Sequence, residues 1–352
     1  MDGGARRAAR AVDALRRGWP VRVTGDDGVL DLLAIESASD AALADFDDGV
    51  ADVLLAGERA VTLKLTNQRA AAAPGPVRLT GAATSVAAGL AIADPALDLA
   101  NPLKGPFRTQ ATGGEAAAMA AMLMARHAGL LPAFFVRDAT GEAETACDAV
   151  DVDALLDPAR LHIAARARLP VEASEGAEIV AFRTPEEASD HVALVIGKRD
   201  ASPPVVRLHS ECLTGDVLGS LKCDCGPQLH AALHAMADAP WGVLLYLRQE
   251  GRGIGLVNKL RAYALQDQGY DTVDANLRLG FPVEARDFAI AGRMLELLNI
   301  PRIRLMTNNP EKVARLEREG VEVVERIPLA LPTNKYNEQY LATKRDRTGH
   351  QL

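Results

Sequence analysis

Three of the four cysteines in the chain fall within fourteen positions, in the stretch CLTGDVLGSLKCDC: Cys212, ten intervening residues, Cys223, one residue, and Cys225. Thiolates at this spacing can converge on one metal. Zinc held by three protein ligands keeps a fourth tetrahedral position for water and lowers the pKa of that water towards about 7, so hydroxide becomes available at neutral pH. The spacing also allows a closed structural site completed by His209 or Asp224. Cysteines so few and so clustered do not build a disulfide framework and suit a reducing compartment. Cys147 stands alone and reads as a small buried residue, and His127, His162 and His191 have no ligand spacing.

Two further stretches can meet an anion. EGRGIG, from Glu250 to Gly255, is a glycine-rich loop after a strand candidate, which reads equally as a plain turn or as a phosphate contact. TNNPEK, from Thr307 to Lys312, reads as a helix start with Pro310 in the first turn, where exposed amides also favour anions.

These residues need scaffolds, and 352 residues exceed the usual size of one hydrophobic core, so two domains are expected. Residues 1–165 are rich in alanine. Their clearest helix runs from Glu115 to Ala128 and stops at Gly129, and Val21 to Val23 and Phe134 to Val136 read as strands. A boundary is expected near Leu169 and Pro170. Beyond it come strand candidates EIVAF and HVALVIG, then strand Val205 to His209, the cysteine loop, a helix from Gln228 to Ala237, strand Val243 to Leu247, the glycine loop and a helix from Leu256 to Gln268. A helix around Arg286 to Leu298, strand Ile303 to Met306, a capped helix from Thr307 to Glu319 and strand Val321 to Ile327 complete the order. Strands alternating with helices predict a mixed sheet with helices packed on it.

Formal net charge is −8, with 48% hydrophobic and 24% charged residues. Residues 1–200 hold 20 Lys and Arg against 29 Asp and Glu, and residues 201–352 hold 19 against 18. An acidic first half argues against a nucleic-acid footprint, while the balanced second half can still focus positive charge on an anionic ligand. With no run of eighteen apolar residues and no leader-like start, a soluble cytoplasmic protein without membrane contact is expected.

The stretches RLHSECLTGDVLGSLKCDCGPQL, YLRQEGRGIGLVNKLRAYALQDQGYDTVDAN, LGFPVEARDF, RLMTNNPEKV, VVERIPL and YLATKRDRTGHQL together resemble GTP cyclohydrolase II over about 185 residues. The resemblance implies an α/β mixed (α+β) fold of two domains, each a mixed sheet with packed helices, with a catalytic domain at 170–352. It implies one zinc per chain on Cys212, Cys223 and Cys225. Arg207, Leu208, His209, Ser210, Glu211, Gln228, Glu250, Gly251, Arg252, Thr272, Thr307 and Lys312 match positions that contact GTP, and Tyr263 matches one near the reacting base. Physical chemistry agrees: Arg207, Arg252 and Lys312 can pair with phosphates, and Glu211, Glu250 and Gln228 can accept from the guanine edge. Glu284 matches the general base, although the family usually has Asp there. Arg286 matches an arginine proposed to take the nucleotidyl group, but a protonated guanidinium is a poor nucleophile and can instead clamp the α-phosphate. The implied reaction opens the imidazole ring of GTP, releasing formate and pyrophosphate and leaving a diamino ribosylamino-pyrimidinone phosphate, with Mg²⁺ on the triphosphate.

Residues 1–165 resemble dihydroxybutanone-phosphate synthase through AVDALRRGWPVRV and GGEAAAMAAMLMARHAGLLPAFFV. That family carries a dense acidic loop and a His-Thr-Glu element. Here the loop reads TGDDGVLDLLAIE and TGGE stands at Thr112 to Glu115, so a scaffold without its own reaction is expected. A homodimer is the expected assembly. The competing readings are a bifunctional enzyme with an active first domain, a GTP-binding sensor without catalysis, and a structural zinc module on nucleic acid, the last disfavoured by the negative charge.

Overall fold

The computed structural model describes residues 2–187, 189–329, 331–349 and 351. His350 and Leu352 of the terminal resemblance lie outside the described residues. The chain divides into two compact units, and neither is one continuous stretch: the first comprises the residues up to Asp157 together with Gly253–Ala285, and the second Pro158–Arg252 with Arg286–Leu352.

The first unit is built on seven strands: β1 (Val21–Thr24), β2 (Val29–Ala34), β3 (Ala51–Leu55), β4 (Val77–Ala83), β5 (Thr109–Gln110), β6 (Ala133–Asp138) and β7 (Ala146–Asp148). They lie in the order β5-β4-β3-β6-β2-β1-β7, with only the β1–β7 pair parallel. Successive side chains on a strand point to opposite faces, which splits the core in two. Leu30, Leu32, Leu54, Phe134 and Val136 face helices Asp2–Arg16 and Glu115–Ala128. The alanines of the second of these, Ala117, Ala118, Ala121 and Ala125, are fully buried, because small side chains let its backbone approach the sheet. Leu33, Ile35, Val53, Leu55 and Phe135 face the other way and are covered partly by Ile254, Ala262, Leu265, Ala275, Leu279 and Phe281. Segment Gly253–Ala285 therefore supplies part of a core begun some two hundred residues earlier.

The second unit holds β8 (His162–Arg168), β9 (Glu178–Arg183), β10 (His191–Gly197), β11 (Val205–Ser210), β12 (Trp241–Leu247), β13 (Arg302–Met306) and β14 (Glu322–Ile327), in the order β14-β13-β11-β12-β10-β9-β8. The sheet is mixed, as expected. β14, β13, β11 and β12 run parallel, and β10, β9 and β8 continue antiparallel. The boundary expected at Leu169 and Pro170 requires correction: it falls between β8 and β9, which pair as a hairpin, so the division lies earlier, after Asp157.

Because β11, β12 and β13 are parallel, their carboxyl ends share one edge, with Ser210 paired to Leu247. Three loops start there: the cysteine loop after Ser210, the glycine loop after Leu247 and the TNNPEK turn after Met306. Open parallel sheets bind ligands at such an edge.

Candidate metal centre and nucleotide site

The sulfurs of Cys212, Cys223 and Cys225 lie within 4.8 Å of one another, the only group of potential metal-ligating side chains of its kind among the described residues. Cys212 Sγ and Cys223 Sγ are 3.7 Å apart. Zinc–sulfur bonds of about 2.3 Å at tetrahedral angles require sulfurs about 3.8 Å apart, so the donor set fits that ion. Local backbone makes the convergence possible. Leu213–Val217 forms a π-helical turn, and the Gly215 amide donates to Cys212 Sγ at 3.3 Å. A Cβ on Gly215 would stand 2.8 Å from Cys223 Sγ and 3.0 Å from Cys212 Sγ, and one on Gly226 would meet the Gly215 carbonyl at 2.3 Å. Only glycines let the turn close over the thiols. Cys225 opens helix Cys225–Ala237, three residues ahead of the expected start.

Crowding and burial favour the protonated forms of Cys223 and Cys225. The Cys225 thiol is pushed well above its usual range by hydrogen bonds with Cys212 and Cys223 and by burial, opposed by the charge of Lys344, and Cys223 is raised chiefly by Cys212. Three thiolates side by side need a cation to offset them.

Both side chains that could have closed the tetrahedron have other partners. His209 Nε2 lies 3.0 Å from each carboxylate oxygen of Asp216, and Asp224 pairs with Lys344 at 2.8 Å and accepts from Gln228. Among the described residues, neither of them joins the cysteine group.

Around the triad, Glu250 accepts the Leu213 amide at 2.7 Å and the Gly251 amide at 2.9 Å, tying the glycine loop to the cysteine loop. Gly251 and Arg252 both adopt the left-handed conformation, Arg252 at φ 61° and ψ 31°. Glu211 pairs with Arg248 at 2.7 Å. Arg207 and Leu208 are buried, Ser210 is half-buried, and Arg207 donates to Gln228. Burial pulls the Arg207 pKa down, and the nearby carboxylates of Asp224 and Asp216 and the Cys225 thiol work against that.

The capped helix starts at Pro310, with Asn309 accepting from the Glu311 amide, and Thr307 Oγ1 accepts from the Asn309 amide. Lys312 Nζ donates to the Leu208 carbonyl at 3.3 Å. Arg286, Lys312 and Arg315 all stand over the Phe288 ring, at 5.4, 6.0 and 5.1 Å. Tyr263, Thr272 and Glu284 belong to the first compact unit. Tyr263 lies on helix Leu256–Asp267 with Lys259 Nζ 5.8 Å from its ring, and Thr272 opens helix Thr272–Arg278, where it accepts from Gln266 at 3.1 Å.

Sequence reasoning missed Asp216, Tyr246 and Lys344. Asp216 accepts from the Tyr246 hydroxyl at 2.9 Å and the Cys212 amide at 3.0 Å as well as holding His209. Nothing in the local pattern marks it, since Asp in a glycine-bearing turn ordinarily serves that turn alone.

Among the described residues no helix is long and apolar enough to cross a membrane. The family model described as GTP cyclohydrolase II matches residues 162–328. A GTP cyclohydrolase-2 from Azospirillum brasilense is 43% identical over 378 aligned positions, covering 99% of this chain and 95% of that protein. A GTP cyclohydrolase-2 from Neisseria meningitidis is 58% identical across 47% of this chain and 85% of its own length. The riboflavin biosynthesis protein RibBA of Synechocystis is 53% identical over 50% of this chain and 32% of its own.

Proposed function

Since the chain belongs to the GTP cyclohydrolase II family, we propose that it hydrolyses GTP at a zinc centre, yielding 2,5-diamino-6-(5-phospho-ribosylamino)pyrimidin-4-one, formate and pyrophosphate, the opening step of riboflavin synthesis. The observation that carries this reading is the convergence of Cys212, Cys223 and Cys225 while His209 and Asp224 are held elsewhere. Such a donor set suits a reactive metal better than a structural one.

Bound zinc supplies a water acidified to near neutrality and a Lewis acid beside the substrate. Two hydrolyses remove C8 as formate, and a third separates pyrophosphate. Arg252 and Lys312 offer cations to the triphosphate, which Mg²⁺ accompanies. Arg207, buried near Cys225, Asp224 and Asp216, balances the negative charge of the cysteine loop. Glu211, Glu250 and Gln228 present acceptors to the guanine edge. Glu284 takes the proton of the attacking water. Arg286, protonated at any working pH, clamps the α-phosphate.

The first domain is a scaffold, and the fate of its carboxylates supports this. Asp27 accepts the Glu115 amide at 2.6 Å and the Ala116 amide at 3.2 Å, filling the anion-attracting end of helix Glu115–Ala128 from within the chain. Asp31 is forked onto Arg22 at 2.7 and 3.0 Å, and Glu36 is taken by the Leu131 amide and Arg261. A Cβ on Gly28 would stand 1.9 Å from the Gly113 carbonyl, so the acidic loop lies directly on the TGGE stretch. The relative aligned over the whole chain also bears the cyclohydrolase name alone. A cytoplasmic homodimer completes the reading.

The test is incubation of the purified chain with GTP and assay of formate, pyrophosphate and the pyrimidine, beside Cys223→Ser. Equimolar formation of the three products, abolished together with zinc content in the variant, is expected. Turnover without zinc, or full activity in Cys223→Ser, overturns the assignment.

A further inference from the structure

Asp224 stands between two of the three thiols, at the position before helix Cys225–Ala237 where an aspartate ordinarily caps its own helix, yet its side chain makes no capping bond. One oxygen meets Lys344 Nζ at 2.8 Å, and the other accepts from Gln228, whose own carbonyl oxygen accepts from Arg207. Lys344 lies on helix Glu338–Thr348, far along the chain, and the two ion-pair side chains are only 12% and 7% exposed.

The segment carrying Lys344 is anchored on both sides. Asn337 and Leu341 are buried before it, and after it the Gln351 amide donates to the Asn308 carbonyl at 2.8 Å. Asn308 follows Thr307 in the TNNPEK turn, and its amide side chain bonds both backbone groups of Leu329. The terminal helix thus reaches the metal loop through one buried charge pair and the nucleotide turn through the chain beyond it.

We propose that Lys344 is a positioning residue for the metal centre, fixing Cys223 and Cys225 through Asp224. The inference rests on the zinc reading above. A buried carboxylate left without its cation is strained out of place or solvated, and either outcome moves the peptide that carries both thiols. The groups that hold metal ligands in orientation commonly change metal affinity by about 10–100-fold when removed.

The experiment uses the full chain loaded with zinc, comparing wild type with Lys344→Met, Lys344→Arg and the double variant Lys344→Met/Asp224→Asn. Zinc release to a chelating dye is followed at a temperature where all melt curves show folded protein. Lys344→Met should release zinc at least about tenfold faster. Lys344→Arg should return most of the retention, and the double variant should recover part of it by removing the lone charge. Unchanged release from Lys344→Met with only a lower melting temperature makes the pair merely structural and overturns the proposal, as does failure of Lys344→Arg to restore retention. A wild-type chain that takes up no zinc overturns the zinc reading and this inference together, whereas loss of this inference alone leaves wild-type zinc binding intact.

Discussion

His209 Nε2 is equidistant, at 3.0 Å, from the two carboxylate oxygens of Asp216, and its ring stacks on Tyr246 with centroids 5.5 Å apart. Asp216 also takes the Tyr246 hydroxyl and the Cys212 amide, so one carboxylate fixes the backbone of the first of the three clustered cysteines. Burial, then the hydrogen bond and charge of Asp216, raise the Tyr246 phenol well above its ordinary range, and it stays a donor.

Asp216→Asn should weaken zinc binding by about 10–100-fold and cost roughly 2 kcal/mol of stability, because an amide cannot accept from all three partners. Tyr246→Phe removes one neutral donor and should cost about 1 kcal/mol. Zinc titration and thermal melts check both; an Asp216→Asn chain with wild-type affinity refutes the role.

At Arg252, a side chain sits where glycine is at ease. Arg252→Gly should stabilise the fold by about 1 kcal/mol while lowering kcat/KM for GTP by about 10–100-fold, through loss of a charged phosphate contact. Melting temperature and steady-state kinetics should therefore move in opposite senses. A variant that gains stability and keeps its kinetics would remove Arg252 from the phosphate site.

His191 accepts the Arg248 amide on Nδ1 at 3.0 Å, and burial, aided by the Arg248 charge, lowers its pKa to about 4. Between pH of about 6.5 and about 4 the unfolded chain binds this proton and the folded chain does not, so stability rises with pH across that window. Full stabilisation is present above it and is lost progressively on acidification, by roughly 3 kcal/mol in total. His191→Gln keeps an acceptor for the amide without titrating, and its melting temperature should depend less on pH from 7 to 4.5. Parallel curves for the two proteins would exclude His191 as a source of acid lability.

The first domain should convert no ribulose 5-phosphate to dihydroxybutanone phosphate in the presence of Mg²⁺. Asp27→Ala should cost about 1 kcal/mol, since it uncovers two amides at a helix start. Formation of the four-carbon phosphate and formate at a rate comparable with GTP turnover would show a working enzyme.

Much of the scaffold was legible because its signals are local. Gly129 ends the Glu115–Ala128 helix in the left-handed conformation, and the alternation in HVALVIG produces β10 with one face in each core layer. The cysteines were legible because their spacing is short enough to bring three thiols to one turn. Asp216 and Lys344 were not, since their partners lie as far as 30 and 120 residues away and depend on which strands become neighbours. The domain boundary failed for the same reason: Ile254, Leu265 and Phe281 look like ordinary helix and loop residues, and only the finished sheet reveals which core they fill.

That excursion of Gly253–Ala285 sets a timetable for synthesis. The first unit lacks part of the cover for one face of its sheet until Ala285 has left the ribosome, after all of Pro158–Arg252 has emerged. At about 5–20 residues per second, the nascent chain carries a sheet without the last part of this cover for roughly 6–25 seconds. A protein divided in this way cannot mature in the order in which it is translated, and slow translation through this interval should favour aggregation or chaperone capture.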